Sequence, residues 1–500
     1  MRTAPATGRR ETGTERGADP RRGAEPRAAH SLYPPLTALG LGIALCWAVA
    51  MALTDAGRNP IFIYNGAFAV AFVLYLVASA LVLRARPSPP HPPLPNSGEE
   101  GQGGEGRLLV LILALALLPR AILLASQPAL SDDLYRYIWD GRVIAAGVDP
   151  YRYAPAAPEL APLRDPLWER VNQKAQHTPY PPAAQLVFAL TYRVAPDSVK
   201  AQQAVAVAAD LLAIGALLLL LARLGLPRAR VLLYAWSPLP ALHFAHSAHN
   251  DALMVAALLL ALALVGGGTR ARIGSGLALA LAALVKLVPL LLGPVLLRRW
   301  RLAGALACGL GLLSGVAPFL RSGPAALAGL GTETGEAVFN DSLHFVLVRL
   351  LAPLTPGYRT VTSLLIVATL AGAAGGLALR DGRTLAGVAR STAVLLGLAI
   401  LLNAVVEPWY LTWMLPFVAL FLRPGRGRRP FALTPMFGWL WLSGAVQLTD
   451  LTYLGPEWAR WWPLIRAVEY GPLFALLAAA AFERFRPVLA RRSPAGTAAS

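Results

Sequence analysis

"RLLVLILALALLPRAILLASQPALSDDLYRYIWDG", residues 107–141, decides how this chain is read. Its first part is apolar for about the length a helix needs to cross a hydrocarbon core roughly 30 Å thick. Its last part sets Asp132 beside Asp133 and adds Arg136 and Asp140 within two further turns. A carboxylate pair placed directly after a membrane-length run raises two questions: which face of the membrane it occupies, and what it meets there.

Outward from this stretch the same pattern recurs along all 500 residues. The chain is 56% hydrophobic and only 14% charged. Apolar runs lie near 36–54, 65–84, 107–125, 201–222, 229–244, 249–267, 302–320, 361–379, 388–405, 409–422, 431–449 and 464–483. The expected fold class is all-α: a polytopic integral membrane protein with about 12–14 membrane helices, including short re-entrant pieces, plus interfacial helices in the first large outer loop. The re-entrant pieces are expected between 272 and 297, where "VKLVP" breaks the run into two parts of about 13 residues, each roughly 20 Å of helix.

The expected organisation has a disordered basic tail (1–33), two membrane helices (34–84) and a Pro/Gly-rich linker (85–106). A membrane domain (107–484) follows, whose first outer loop spans 126–200, and then a short tail (485–500). The net charge of +18 does not point to nucleic acid, because the arginines sit in short loops between apolar runs and no basic stretch is interleaved with aromatics. Cys46 and Cys308 both lie in apolar runs and give neither a disulfide framework nor a metal site.

The arginines also orient the chain. Basic loops occur at 223–230, 268–272, 298–301, 380–383 and 423–429. If all are cytoplasmic, loops 126–200, 245–248, 321–360, 406–408 and 450–463 face outward together, provided that 182–195 does not cross. Every polar constellation that invites chemistry then falls on the outer face of a multi-pass protein of the plasma (inner) membrane.

Each constellation has two readings. Ser131 is a suitable N-cap, with Asp132 and Asp133 in the first turn and an Asp132–Arg136–Asp140 ladder at i, i+4 behind them. Leu134, Tyr137, Ile138, Gly141 and Ile144 form a helical stripe, as in an interfacial amphipathic helix. Alternatively one carboxylate takes a proton from an attacking hydroxyl in sugar transfer. Two ligands from one turn make a thin divalent-metal site, so no cofactor is expected. In "HSAHNDA", Asn250 or Asp251 caps the next helix, or His246, His249, Asn250 and Asp251 bind a phosphate or sugar; zinc lacks further ligands. Lys286, flanked by apolar residues, is costly unless it snorkels, pairs or meets an anion. "FNDS", with Asn340, reads as a turn or a contact. "EPWY", with Glu407, Trp409 and Tyr410, reads as an interfacial aromatic belt or a sugar platform.

The blocks "SDDLYRYIWDGRVIAAGVDPYRYAP", "YPPAAQLVFA", "HNDALMVAALLLALAL", "LVKLVPLLL" and "EPWYLTW" resemble GT-C glycosyltransferases over about residues 107–480. Within these they are most similar to bacterial polyprenyl-phosphate-mannose-dependent mannosyltransferases. The resemblance implies a GT-C fold, a polyprenyl-phosphate-sugar donor in place of a nucleotide sugar, and inversion at the anomeric carbon. It implies Asp132 as base with Asp133 as its partner, Asp251 as a second acidic site near the donor, and Lys286 at the donor phosphate.

On this reading Arg136 and His249 assist Lys286 at the phosphate. Tyr135, Trp139, Tyr180, Trp409 and Tyr410 stack on sugar or lipid, and Asp140, His246, Asn250, Asn340 and Glu407 complete the substrate contacts. The expected function is transfer of a hexose, mannose first, to an extracytoplasmic glycan or lipid-linked acceptor, with membrane lipid as the other partner. The rivals are a lipid-linked sugar transporter, which should show inverted repeats and mid-membrane charges, and a scaffold whose aspartates only cap.

Overall fold

The structure is a computed structural model that describes residues 31–85, 100–323 and 338–492. Most of the expected tails and linker lies outside the described residues. Where the two overlap, a helix already begins at Glu100, and the last helix runs on to Arg492.

Among the described residues every regular element is helical, and β pairing is limited to two isolated bridges, Phe339 with Val405 and Pro424 with Phe431. The elements used below are α1 (Tyr33–Asp55), α2 (Pro60–Arg84), α3 (Glu100–Ala125), α4 (Asp133–Ala145), α5 (Pro182–Val194) and α6 (Val199–Arg223). They continue as α7 (Asp251–Leu264), α8 (Thr269–Val285), α9 (Gly293–Val316), α10 (Leu343–Leu351), α11 (Tyr358–Asp381), α12 (Leu385–Leu402), α13 (Leu415–Phe421), α14 (Pro435–Ala445) and α15 (Trp462–Arg492). Eight helices among the described residues are long and apolar enough to cross a membrane. The chain is therefore a multi-pass membrane protein of all-α class, as the apolar runs predict.

Helix starts follow local chemistry. The Asn59 side chain accepts the Ile61 N–H before Pro60 opens α2, Ser198 accepts from Ala201 at α6, and Thr384 accepts from Gly387 at α12. Between α6 and α7, short turns from Arg228 to His246 carry the chain back across. One charge pair is buried between α3 and α6: Arg120 Nε donates to Asp210 at 2.6 Å, Nη1 donates to the Ala116 and Ala235 carbonyls, and the Tyr234 hydroxyl donates to Asp210. These bonds make the pair a structural staple in a medium without water.

The basic loops meet on one face. Arg223 donates to the Val265 carbonyl, Arg299 to Arg383, Arg230 to Leu422, and Arg84 to Arg429. The opposite face gathers residues 126–200, 246–250, 286, 339–342 and 404–410.

The segment around Lys286 departs from a short hairpin of equal arms. Its first arm is the 17-residue α8, and the second is a 3₁₀ turn, Val288–Leu292, running into α9. At Arg301 the backbone turns left-handed (φ 54°) and the chain reverses. Gly276 then packs on Gly304, Ala280 on Gly311 and Leu284 on Gly315, so α8 and the later part of α9 run in the same direction.

The first outer loop departs too. α4 does not present its apolar stripe to lipid, because all ten residues from Leu134 to Val143 are buried within the protein. Its polar members are neutralised internally: Arg136 by Asp140, and Arg142 by Asp165 and Asp197. α5 covers α4 and presents the exposed apolar side chains, with Leu190 at 64% and Val194 at 79%. Only 13 residues long, it does not cross. Gly141 makes this packing close, since a Cβ there would sit 2.5 Å from the Phe188 carbonyl oxygen.

Candidate active site

Ser131 is not the N-cap of α4. That position is Asp132, which makes no side-chain capping bond, and Asp133 occupies the first turn. Ser131 Oγ accepts the Asp133 N–H at 3.4 Å. Asp132 is exposed, whereas the Asp133 side chain is 22% exposed and faces its neighbours. Asn172 Nδ2 donates to Asp133 Oδ1 at 2.6 Å, and His249 Nδ1 lies 3.5 Å from Oδ2. Burial raises the Asp133 carboxyl above its ordinary pKa; the Asn172 bond and the charges of Lys286 and Arg136 oppose this, while Asp251 adds to it.

From Asp133 the site continues without a gap. His249 is fully buried and lies flat on Trp409, with ring centroids 3.6 Å apart and planes inclined at 17°. Neither ring nitrogen of His249 has a hydrogen-bond partner among the described residues. Two residues on, Asp251 opens α7 in a buried position. It accepts from Lys286 Nζ at 2.9 and 3.2 Å and from Trp413 Nε1 at 2.7 Å.

Lys286 is placed by the end of α8, where its own backbone turns extended (φ −152°, ψ 131°). Its ammonium sits 3.9 Å from the Tyr410 ring centre and 5.1 Å from that of Trp413, and its side chain is 24% exposed. Of the three ways its apolar flanks allow for Lys286, the structure shows pairing. The lysine is caged by a carboxylate and two aromatic faces, and it still opens toward the site.

Asp133, His249, Asp251, Lys286, Trp409 and Tyr410 thus come together from four separate stretches of chain. Glu407 lies just beyond Trp409. Glu407 stands at the N-cap of the 3₁₀ turn Pro408–Trp413 that carries Trp409 and Tyr410. Phe339 pairs its backbone with Ala404 and Val406 and so ties the 339–342 turn to this rim.

Other expected contacts have structural partners instead. Asp140 accepts from Arg136 Nε, Thr178 Oγ1 and Gln185 Nε2, which fastens α4 to the strap before α5. Arg136 also donates to the Gln173 and Gln176 carbonyls. His246 uses both ring nitrogens, one with Ser126 Oγ and one accepting the Ala129 N–H. Tyr135 is buried under the Arg170 guanidinium, and Trp139 is buried with Arg142 5.9 Å from its ring. Tyr180 packs edge-on against Tyr137 and Phe188. Asn340 donates to Glu469, and its carbonyl accepts from Tyr470. Asn250 is buried at the N-cap of α7 without a side-chain capping bond.

Two participants escape sequence reasoning. Asn172 lies 39 positions from Asp133 in an aperiodic loop and carries no signal. Trp413 lies within the quoted "EPWYLTW", but only the fold shows its indole N–H reaching Asp251. No group of three or more His, Cys, Asp or Glu side chains suited to a metal occurs among the described residues.

Residues 42–302 match the MptA_B family, described as alpha-(1->6)-mannopyranosyltransferase, N-terminal domain. The match includes Asp132, Asp133, His249, Asp251 and Lys286. No curated protein matches. Among solved structures the chain is similar to ArnT from Cupriavidus metallidurans bound to undecaprenyl phosphate, at 16% identity and a TM-score of 0.42, covering 77% of this chain and 80% of that one. More than half of the sequence falls inside the family match, so this chain belongs to the MptA_B family and is a membrane glycosyltransferase.

Proposed function

We propose that the protein transfers mannose from a polyprenyl-phosphate donor to a hydroxyl of a glycan or lipid-linked acceptor, with inversion. The observation that carries this reading is the pairing, within one cluster, of a partly buried carboxylate at Asp133 with a caged cation at Lys286. A sugar bound to a lipid phosphate needs both: a base for the incoming hydroxyl and a counter-charge for the leaving phosphate.

In the proposed step the acceptor oxygen bonds to the anomeric carbon from the face opposite the phosphate. Its proton passes to Asp133, and the bond to the phosphate oxygen breaks with its electron pair leaving on the lipid phosphate. Inversion of a β-linked donor gives the α linkage in the family's description.

Asp133 is preferred over Asp132 as base. It faces His249 and is oriented by Asn172, while Asp132 stands exposed beside it. An ammonium carries three donors, and Asp251 is the acceptor of Lys286 in both of its bonds, so the group retains capacity for an anion. Trp409 and Tyr410 offer aromatic faces for sugar or prenyl chain. Arg136, locked on Asp140, acts on the site through its charge. Because all the basic loops gather on the other face, the cluster is assigned to the extracytoplasmic side of the plasma membrane.

The test is incubation of purified protein with polyprenyl-phosphate-[¹⁴C]mannose and a mannose-terminated acceptor. Acceptor-dependent label in glycan, with an α-linkage by NMR, is the expected result. Label that only crosses the bilayer, without transfer, would instead make the protein a carrier and end the proposal.

A further inference from the structure

The face opposite Lys286 holds a feature that mannosyl transfer does not use. Arg272, Arg298, Arg299, Arg301 and Arg383 line an open cleft of about 320 Å³ whose other walls are Gly266 and Gly382. These side chains come from three separate stretches: Arg272 in the first turn of α8, Arg298, Arg299 and Arg301 around the bend in α9, and Arg383 just after α11. Orientation in a membrane needs only that such residues lie on one side. It does not need them to converge on a single hollow.

Guanidinium groups stay charged, so five of them around one cleft repel one another. Among the described residues no carboxylate lines the cleft. The nearest acid in chain order, Asp381, lies instead toward Arg380, at 4.0 Å.

Parts of the cluster are fixed in place. Arg298 donates to the Leu379 carbonyl and Arg299 to the Arg383 carbonyl at 2.7 Å. Gly266 has φ +79°, and a Cβ on it would fall 2.2 Å from Arg299 Nη2, so the guanidinium lies against backbone that only glycine leaves open. The Nε atoms of Arg272 and Arg299 are buried and have no hydrogen-bond partner among the described residues. A planar fork of donors held around an uncompensated hollow suits a tetrahedral oxyanion. Basic pockets between membrane helices take phosphate headgroups in the same manner.

We propose that this cleft is a second binding site, for a phosphate-bearing anion, on the membrane face opposite the transfer site. The ligand's phosphate meets Arg272 and Arg299 at the base, and Arg298, Arg301 and Arg383 close around it. The proposal stands independently of the transfer reaction.

The full-length protein decides it with two probes. In nanodiscs containing phosphatidylglycerol and phosphatidylcholine, native mass spectrometry counts retained phosphatidylglycerol. In neutral detergent, thermal shift reports inorganic pyrophosphate. The wild type is expected to bind at least one probe, and Arg272→Gln with Arg299→Gln to weaken that binding roughly tenfold or more. Retention of phosphatidylglycerol without a pyrophosphate shift identifies a lipid headgroup, and a pyrophosphate shift without lipid retention identifies a soluble ligand. Arg301→Gln and Arg383→Gln change exposed side chains, and each is expected to weaken binding by a smaller factor; they carry the decision if the double variant does not fold. A wild type that binds neither probe, or variants that bind as the wild type does, overturns the proposal.

Discussion

Lys286 and Asp251 meet at 2.9 Å across 35 positions of sequence, at the point where α8 ends and α7 begins. The carboxylate is buried and the ammonium is partly open, so the pair is asymmetric. Removing the cation strands a buried charge, whereas removing the anion leaves a cation that still meets two aromatic faces.

Lys286→Met is therefore expected to raise the KM for the lipid donor by about 10- to 100-fold, with a smaller effect on the acceptor KM. Steady-state kinetics with each substrate varied in turn measures the split. An unchanged donor KM removes Lys286 from the phosphate.

Asp133→Asn should keep the fold, since an amide can still meet Asn172, yet lose the proton acceptor. We expect kcat to fall by about 10²–10⁴. Asp132→Asn, at an exposed position, should cost far less. The opposite order, measured on variants with matched expression and melting behaviour, would hand the base role to Asp132.

The pH profile follows from the same carboxyl. Burial holds the Asp133 pKa above its ordinary value, so the base stays protonated to a higher pH than an exposed aspartate would. Activity should rise as pH passes upward through that raised pKa. Asn172→Ala removes the hydrogen bond that opposes the shift, so the acid limb of kcat/KM should move to higher pH. A limb that stays in place, or moves down, would disconnect Asn172 from the titrating group.

Trp413→Phe deletes the indole N–H that Asp251 accepts while keeping a ring near Lys286. The lost bond to a charged acceptor should weaken donor use by roughly 10- to 100-fold at most, on the order of 1.5–3 kcal/mol. A donor titration reads it, and the acceptor KM serves as the internal control.

Gly141→Ala tests the scaffold. The added methyl would sit 2.5 Å from backbone oxygen of α5, which a rotamer change cannot relieve. A loss of about 1–3 kcal/mol of stability is expected, read as an earlier thermal transition in detergent. Gly147→Ala also changes a glycine in this loop, but one with open space around it, so any cost there reports backbone strain at φ +78° instead.

The apolar helices and the gathering of basic loops away from the acidic cluster were legible because both signals are local. An apolar run has the bilayer's length, and an arginine beside it prefers one face. Asp133, Asp251 and Lys286 stood out for a similar reason, as charges set against apolar stretches. Partnering was not legible. Asp140 looks like a ladder residue of α4, but its bonds to Thr178 and Gln185 span 38 and 45 positions, and no spacing rule reaches that far. The stripe on α4 misled because a surface helix and a fully covered helix share it; what differs is whether Arg136 and Arg142 find carboxylates, and that is settled by the fold. His246 read as a ligand, yet its bonds to Ser126 and Ala129 make it a clasp.

The stacking of Trp409 on His249 and the bond from Trp413 to Asp251 also bear on biogenesis. All the acidic and basic members of the cluster leave the ribosome more than a hundred residues before these two tryptophans. During that interval Asp251 and Lys286 lack the indole N–H and the aromatic faces that complete their cage. A nascent chain that stalls before position 413 therefore carries an acid–base pair whose aromatic cover has not yet been made.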